Sequence, residues 1–192
     1  MFKKTFLLII IFSFISCSDK QFSLENYKNY PVKFAKKNVV YPKNEFEIVL
    51  PINWDWKIED YEDTNEVLLG IDAFSKPNNE NFFNGISIQK MKPFSSDNSL
   101  KSEFATVLKK SQENQSWKLI DSGKTDILKT EAYYIHLKSK TEKQGGLEML
   151  TIITISNNDD NYYHINGLSP ITKDLKLNMA IIISCLKTFK QN

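Results

Sequence analysis

From Phe46 onward the chain falls into short apolar and polar runs whose period changes twice. Phe46, Ile48 and Leu50 alternate with Glu47 and Val49, the period-2 pattern of a strand, and Pro51 ends it. Glu66–Phe74 and Gly85–Lys92 read the same way, separated by the turn cluster Asn78-Asn79-Glu80-Asn81, with Pro93 closing the third strand. The period then lengthens. Leu100, Phe104, Val107 and Leu108 recur at helical spacing, with Asp97 or Ser99 placed to cap the start. Glu103 early and Lys109-Lys110 late suit the helix dipole. Four strands follow: Trp117–Ser122, Lys124–Glu142 with a break near Lys129, Leu147–Ser156 and Tyr162–Leu168. Gln144-Gly145-Gly146 and the run Asn157–Asn161 supply the later turns, which predicts antiparallel hairpins. Leu147–Ser156 is apolar on both faces, so both should be covered. Between Thr172 and Lys190, Leu175, Met179, Ile182, Ile183, Leu186 and Phe189 form the wide apolar face of a last helix. The order βββ-α-ββββ-α predicts an α+β domain over residues 45–192: an antiparallel β-sheet flanked by helices, an α/β/α sandwich.

The first seventeen residues follow a different rule. Lys3 and Lys4 precede an apolar run from Thr5 to Ile15, too short to span a bilayer, and Phe14-Ile15-Ser16-Cys17 resembles a lipobox. That resemblance implies a lipoprotein signal peptide over residues 1–16. The Cys17 thiol would take a diacylglyceryl group, and its freed amine a fatty acyl chain such as palmitate. Two or more acyl chains anchor stably where one does not. Ser18, rather than Asp, follows the cysteine, which points to the outer membrane of a bacterial cell envelope. Residues 17–44 mix Lys, Asn, Ser, Tyr and Pro without a period and read as a lipidated N-terminus and tether. Its Tyr27, Tyr30, Phe34 and Tyr41 are able to dock on the domain.

Composition narrows the chemistry. Formal charge is +2, and loss of Lys3 and Lys4 with the signal brings it to zero, so net charge gives no electrostatic reason to bind nucleic acid or anionic lipid. Every basic residue is Lys. Without Arg the chain lacks the usual bidentate reader of phosphate. Cys185 sits in the last helix and reads as a core thiol. His136 and His164 stand alone on strand patterns, as hydrogen-bonded sheet residues and not a zinc set. The acidic loops at Glu59–Asp63 and Asp159-Asp160 do not fit calcium-loop spacing and read as solvated. No cofactor or metal is expected, and no hydrolase or nucleotide motif occurs. Trp54 and Trp56 share one side of an extended segment. One is expected in the core and the other on the surface as a partner contact.

Several of these residues stand in a familiar order. Pro51-Ile52-Asn53-Trp54 opens the domain, and a helix follows the third strand. Then come Asp121-Ser122-Gly123-Lys124, Ala132-Tyr133-Tyr134-Ile135, a long hairpin, and a closing helix ending in Leu186-Lys187-Thr188-Phe189. The arrangement over about Phe46–Lys190 resembles the PsbP-like superfamily (PsbP/DcrB-like domains). The resemblance implies an accessory or binding module, non-enzymatic, with an unidentified protein partner, and it carries over no functional residue. The competing expectations are a carrier of a hydrophobic small molecule or lipid and, third, an envelope hydrolase.

Overall fold

The computed structural model describes residues 22–41, 44–59, 65–79, 81–139 and 146–192. Residues 1–21 with Cys17, the acidic run 60–63 and the turn residues 144–145 lie outside them. The elements are α1 (Leu24–Lys28), β1 (Lys36–Val40), β2 (Phe46–Pro51), β3 (Asp55–Ile58), β4 (Val67–Phe74) and β5 (Gly85–Met91). They continue with α2 (Leu100–Glu113), β6 (Trp117–Thr125), β7 (Ala132–Ser139), β8 (Leu147–Ile155), β9 (Tyr162–Pro170), α3 (Leu175–Leu186) and β10 (Lys190–Gln191).

Seven strands form one antiparallel sheet in the order β3-β4-β5-β9-β8-β7-β6. The expected break near Lys129 is the β6–β7 connection. The expected division at Gly123 is absent, because β6 runs through it with a register shift between Leu119 and Asp121. Alternation sends Ile71, Ile86, Ile88, Leu150, Ile152 and Ile165 to one face, where Met179, Ile182, Ile183 and Leu186 of α3 meet them. The opposite parity sends Ile135, Leu137, Ile153 and Tyr162 to the other face, under Phe104, Val107 and Leu108 of α2. The sandwich is therefore α/β/α, as the periods predict. Each of these buried aliphatic side chains contributes about 1.5–3 kcal/mol of transfer free energy. At Gly167 on β9 the helix comes so close that a methyl group would overlap Ile182 Cγ2.

The stretch placed in the tether is part of this fold from residue 22. β1 pairs with β2 from Lys36↔Pro51 to Val40↔Glu47, and β10 pairs with the other edge of β2, making a second, three-stranded sheet. Val39 is the buried side chain of β1, so the strand is held chiefly by its main chain and leaves no apolar period to read. Upstream, α1 is closed by a reciprocal capping box between Ser23 and Asn26, and it buries Leu24 and Tyr27.

Candidate functional site

α2 packs over β6, β7 and β8 and leaves the other half of its sheet face uncovered. There β4 and β5 turn down Ile71, Ala73, Ile86 and Ile88, so the residues between them face outward. Asp72 and Phe74 of β4, Ser87 of β5, Asn166 and Leu168 of β9, and Met149 of β8 line an open groove of about 680 Å³. Pro77 and Phe83, from the β4–β5 connection, form one wall. The Phe83 ring meets Phe74 edge-on at 6.3 Å, yet Phe83 stays 50 % exposed. That connection is braced by Asn78, whose Oδ1 accepts from the Phe82 amide at 3.0 Å. Volume and lining match an apolar binding cleft with few polar groups.

The polar groups gather toward the β3 edge. Lys57 forms an ion pair with Glu59 beside Asp72. Burial pushes the Asp72 carboxyl above its usual range. The Ser87 hydroxyl and the Lys57 ammonium oppose that shift, and the Glu59 carboxylate adds to it. Asn166 is fixed by Thr151, whose hydroxyl donates to Asn166 Oδ1 at 2.7 Å. Ser75 and Ser87 bring hydroxyls, but the described lining includes no His or Cys. A serine nucleophile needs a base within hydrogen-bond reach; here the Ser87 hydroxyl bonds to the Asp72 carboxyl, and the described lining offers no imidazole to relay a proton.

Both histidines are buried away from the groove, each against a glutamate. His136 on β7 lies 2.6 Å from Glu148 Oε1, which also accepts from the Tyr27 hydroxyl at 2.5 Å. This cluster bolts α1 to the sheet. On the other face, Glu103 of α2 is fully buried with Oε1 3.3 Å from His164 Nε2. Its Oε2 accepts from the amides of Phe94 (2.8 Å) and Ser95 (3.0 Å). Burial opposes ionisation of Glu103, but the imidazole and the two amides outweigh it, and the carboxyl titrates below its usual value. In sequence Glu103 looks like a first-turn acid favourable to the dipole. Only the return of the 92–98 loop over the helix start reveals its contacts.

The remaining predicted positions separate. Trp54 is 5 % exposed and belongs to the core, so it offers no partner surface, while Trp56 is 37 % exposed on the edge strand β3. The shared side expected of an extended pair is lost because Trp54 sits in a turn, its amide bonded to Pro51 O at 3.1 Å. Trp56 aligns with Ala73 and so lies on the sheet face opposite the groove. Asp159 and Asp160 are exposed, and Asp159 pairs with Lys90 at 2.7 Å, which also reaches Glu45 at 3.1 Å. Cys185 is fully buried, and burial pushes its thiol up to about 12. Among the described residues no three His, Cys, Asp or Glu side chains gather as a metal set.

No protein-family model matches the chain, and no curated protein matches it. Solved structures do. Cyanobacterial PsbP (CyanoP) from Synechocystis is 13 % identical, with a TM-score of 0.57 over 84 % of this chain and 95 % of that one. The Ran-binding protein Mog1p of Saccharomyces cerevisiae is 10 % identical, with a TM-score of 0.53 over 83 % and 96 %. A protein of unknown function from Pseudomonas aeruginosa is 11 % identical, with a TM-score of 0.52 over 82 % and 97 %. At such identities the likeness concerns the path of the backbone, and with the strand order and the two helical layers above it leads to one conclusion: this chain has the Mog1/PsbP-like fold.

Proposed function

We propose that this protein is a lipid-anchored accessory module of the bacterial cell envelope, held on a membrane through Cys17. In this reading it acts without catalysis, by seating an apolar segment of a protein partner in the sheet groove. The groove over Phe74, Phe83, Met149 and Leu168 carries the binding half of the reading, because it is open and largely apolar and its described lining holds no imidazole or thiol. The basic, apolar and Cys-terminated start carries the anchoring half. Among the described residues no helix is long and apolar enough to cross a membrane, so acylation of Cys17 is the attachment this reading needs.

Two variants test the halves separately. Cys17→Ala is expected to move the protein out of the detergent-extractable membrane fraction. Continued fractionation with membranes would remove the anchor. For the groove, Phe83→Ser and Phe74→Ser are expected to abolish binding of an environment-sensitive apolar dye while leaving the melting temperature of Phe83→Ser unchanged.

A second reading is favoured by the groove volume, which falls within the range of small-molecule sites. A carrier would hold a hydrophobic small molecule or lipid, its tail along Phe74, Phe83 and Leu168 and a polar head near Asp72 and Asn166. Native mass spectrometry distinguishes the two: a co-purifying mass lost in Phe83→Ser favours the carrier, and a bare chain favours the partner-binding module.

A further inference from the structure

The described structure starts at Phe22, five residues beyond Cys17. Even fully stretched, that link spans about 17 Å. A protein acylated at Cys17 therefore holds the neighbourhood of Phe22 against the bilayer. Residues 22–41 are bound into the fold through Tyr27 and β1, so no long tether separates domain and membrane.

The surface at that point has the make-up of a membrane-interface contact. Lys176 Nζ of α3 stands between two aromatic rings, 5.3 Å from the Phe22 centroid and 4.9 Å from that of Tyr30. Tyr30 is 36 % exposed, and Leu177, the next residue on α3, is 40 % exposed. Lys173, one turn earlier, is exposed as well. Aromatic rings settle at the headgroup level, and long lysine side chains reach anionic headgroups while their stems lie on apolar surface. The nearby acids are Glu25 and Asp126, which share Lys28 at 2.8 and 2.5 Å, and Asp174, which lies in sequence between Lys173 and Lys176.

We propose that the surface formed by Phe22, Tyr30, Lys173, Lys176 and Leu177 is the face this domain lays on an anionic lipid bilayer. The proposal rests on acylation of Cys17. It fixes an orientation: α1 and α3 look toward the lipid, and the groove, on the opposite sheet face, looks away. The membrane then supplies a second, non-covalent contact beside the acyl chains.

The test uses the full-length acylated protein in vesicles of phosphatidylethanolamine and phosphatidylglycerol carrying brominated acyl chains. With Cys17 acylated and Cys185 buried, a single introduced cysteine takes the fluorophore. One variant is Leu177→Cys. The other is Lys109→Cys, on the exposed side of α2. Flotation reports the anchor, and quenching reports the face. The expected result is that both variants float, with quenching several times stronger at 177 than at 109. Equal quenching in floating protein overturns the proposed face and leaves the anchor standing. Failure to float overturns both. Adding Lys173→Glu and Lys176→Glu is expected to remove most of the excess quenching without preventing flotation. An unchanged excess would overturn the part given to the lysines.

Discussion

At the residue scale the tightest constraint is Gly167. Its missing side chain lets α3 lie directly on β9, with Ile182 Cγ2 in the space a methyl group would take. Ile182 is buried among close neighbours and has little room to move, so Gly167→Ala is expected to cost about 1–3 kcal/mol in urea unfolding. The pair Gly167→Ala, Ile182→Ala should lose less than the sum of the single changes, since the second substitution empties the space the first one needs. The sequence around Gly167 carries no sign of this contact: a glycine in a strand pattern can mark a bulge, a bend or an approach, and the approaching helix is known only from packing. The histidines were legible as sheet residues and their partners were not. Glu148 sits one strand away, and Glu103 is reached only across two layers.

At the element scale, the strongly periodic segments were legible and the short ones were not. β2, β4 and β5 bury chiefly alternate side chains, while β8 and β9 are buried on both faces, and both patterns are what a sequence displays. β3 is exposed at every position, and β10 has two residues, so their pairing comes from main-chain hydrogen bonds that any side chain permits. The groove was illegible for a related reason. It exists because α2 is too narrow to cover seven strands, and the width of a layer is not a property of any one segment. α1 is the other element the pattern missed, and its hold on the domain has a buried polar bolt at Tyr27, beside the more exposed contacts of Lys28 with Asp126 and Lys187. Tyr27→Phe removes the hydrogen bond to Glu148 and leaves a buried carboxylate one donor short. The expected cost is about 1–3 kcal/mol, with faster amide exchange concentrated at residues 24–28. A loss spread evenly over the sheet would show that α1 is not held chiefly by this bond.

At the scale of the whole molecule, acid sensitivity follows from carboxylates that their partners hold ionised. Glu103 is held below its usual value. Asp159 is held at about 2: burial works against its ionisation, but Lys90, Ser156 and Asn161 prevail. In the unfolded chain both groups take up protons near pH 4. Their stabilising contribution is therefore full above about pH 5 and is lost as pH falls through the folded values. Asp72 has the opposite sign: its raised carboxyl favours the folded protein as it becomes protonated, and it offsets part of the loss. Urea midpoints measured from pH 6 down to pH 2 are expected to fall, and Glu103→Gln should flatten the descent while starting from a lower midpoint. The way the molecule closes bears on the order of its making. The core under α3 needs Ile182, Leu186 and Phe189, and β10 completes the small sheet that β1 and β2 begin. A chain threaded through a translocation pore amino end first thus keeps one half of its sheet uncovered until Phe189 has passed. On the proposed reading it would remain slack enough to slide for nearly its whole length, and then fold where it emerges, beside the membrane to which Cys17 would tie its other end.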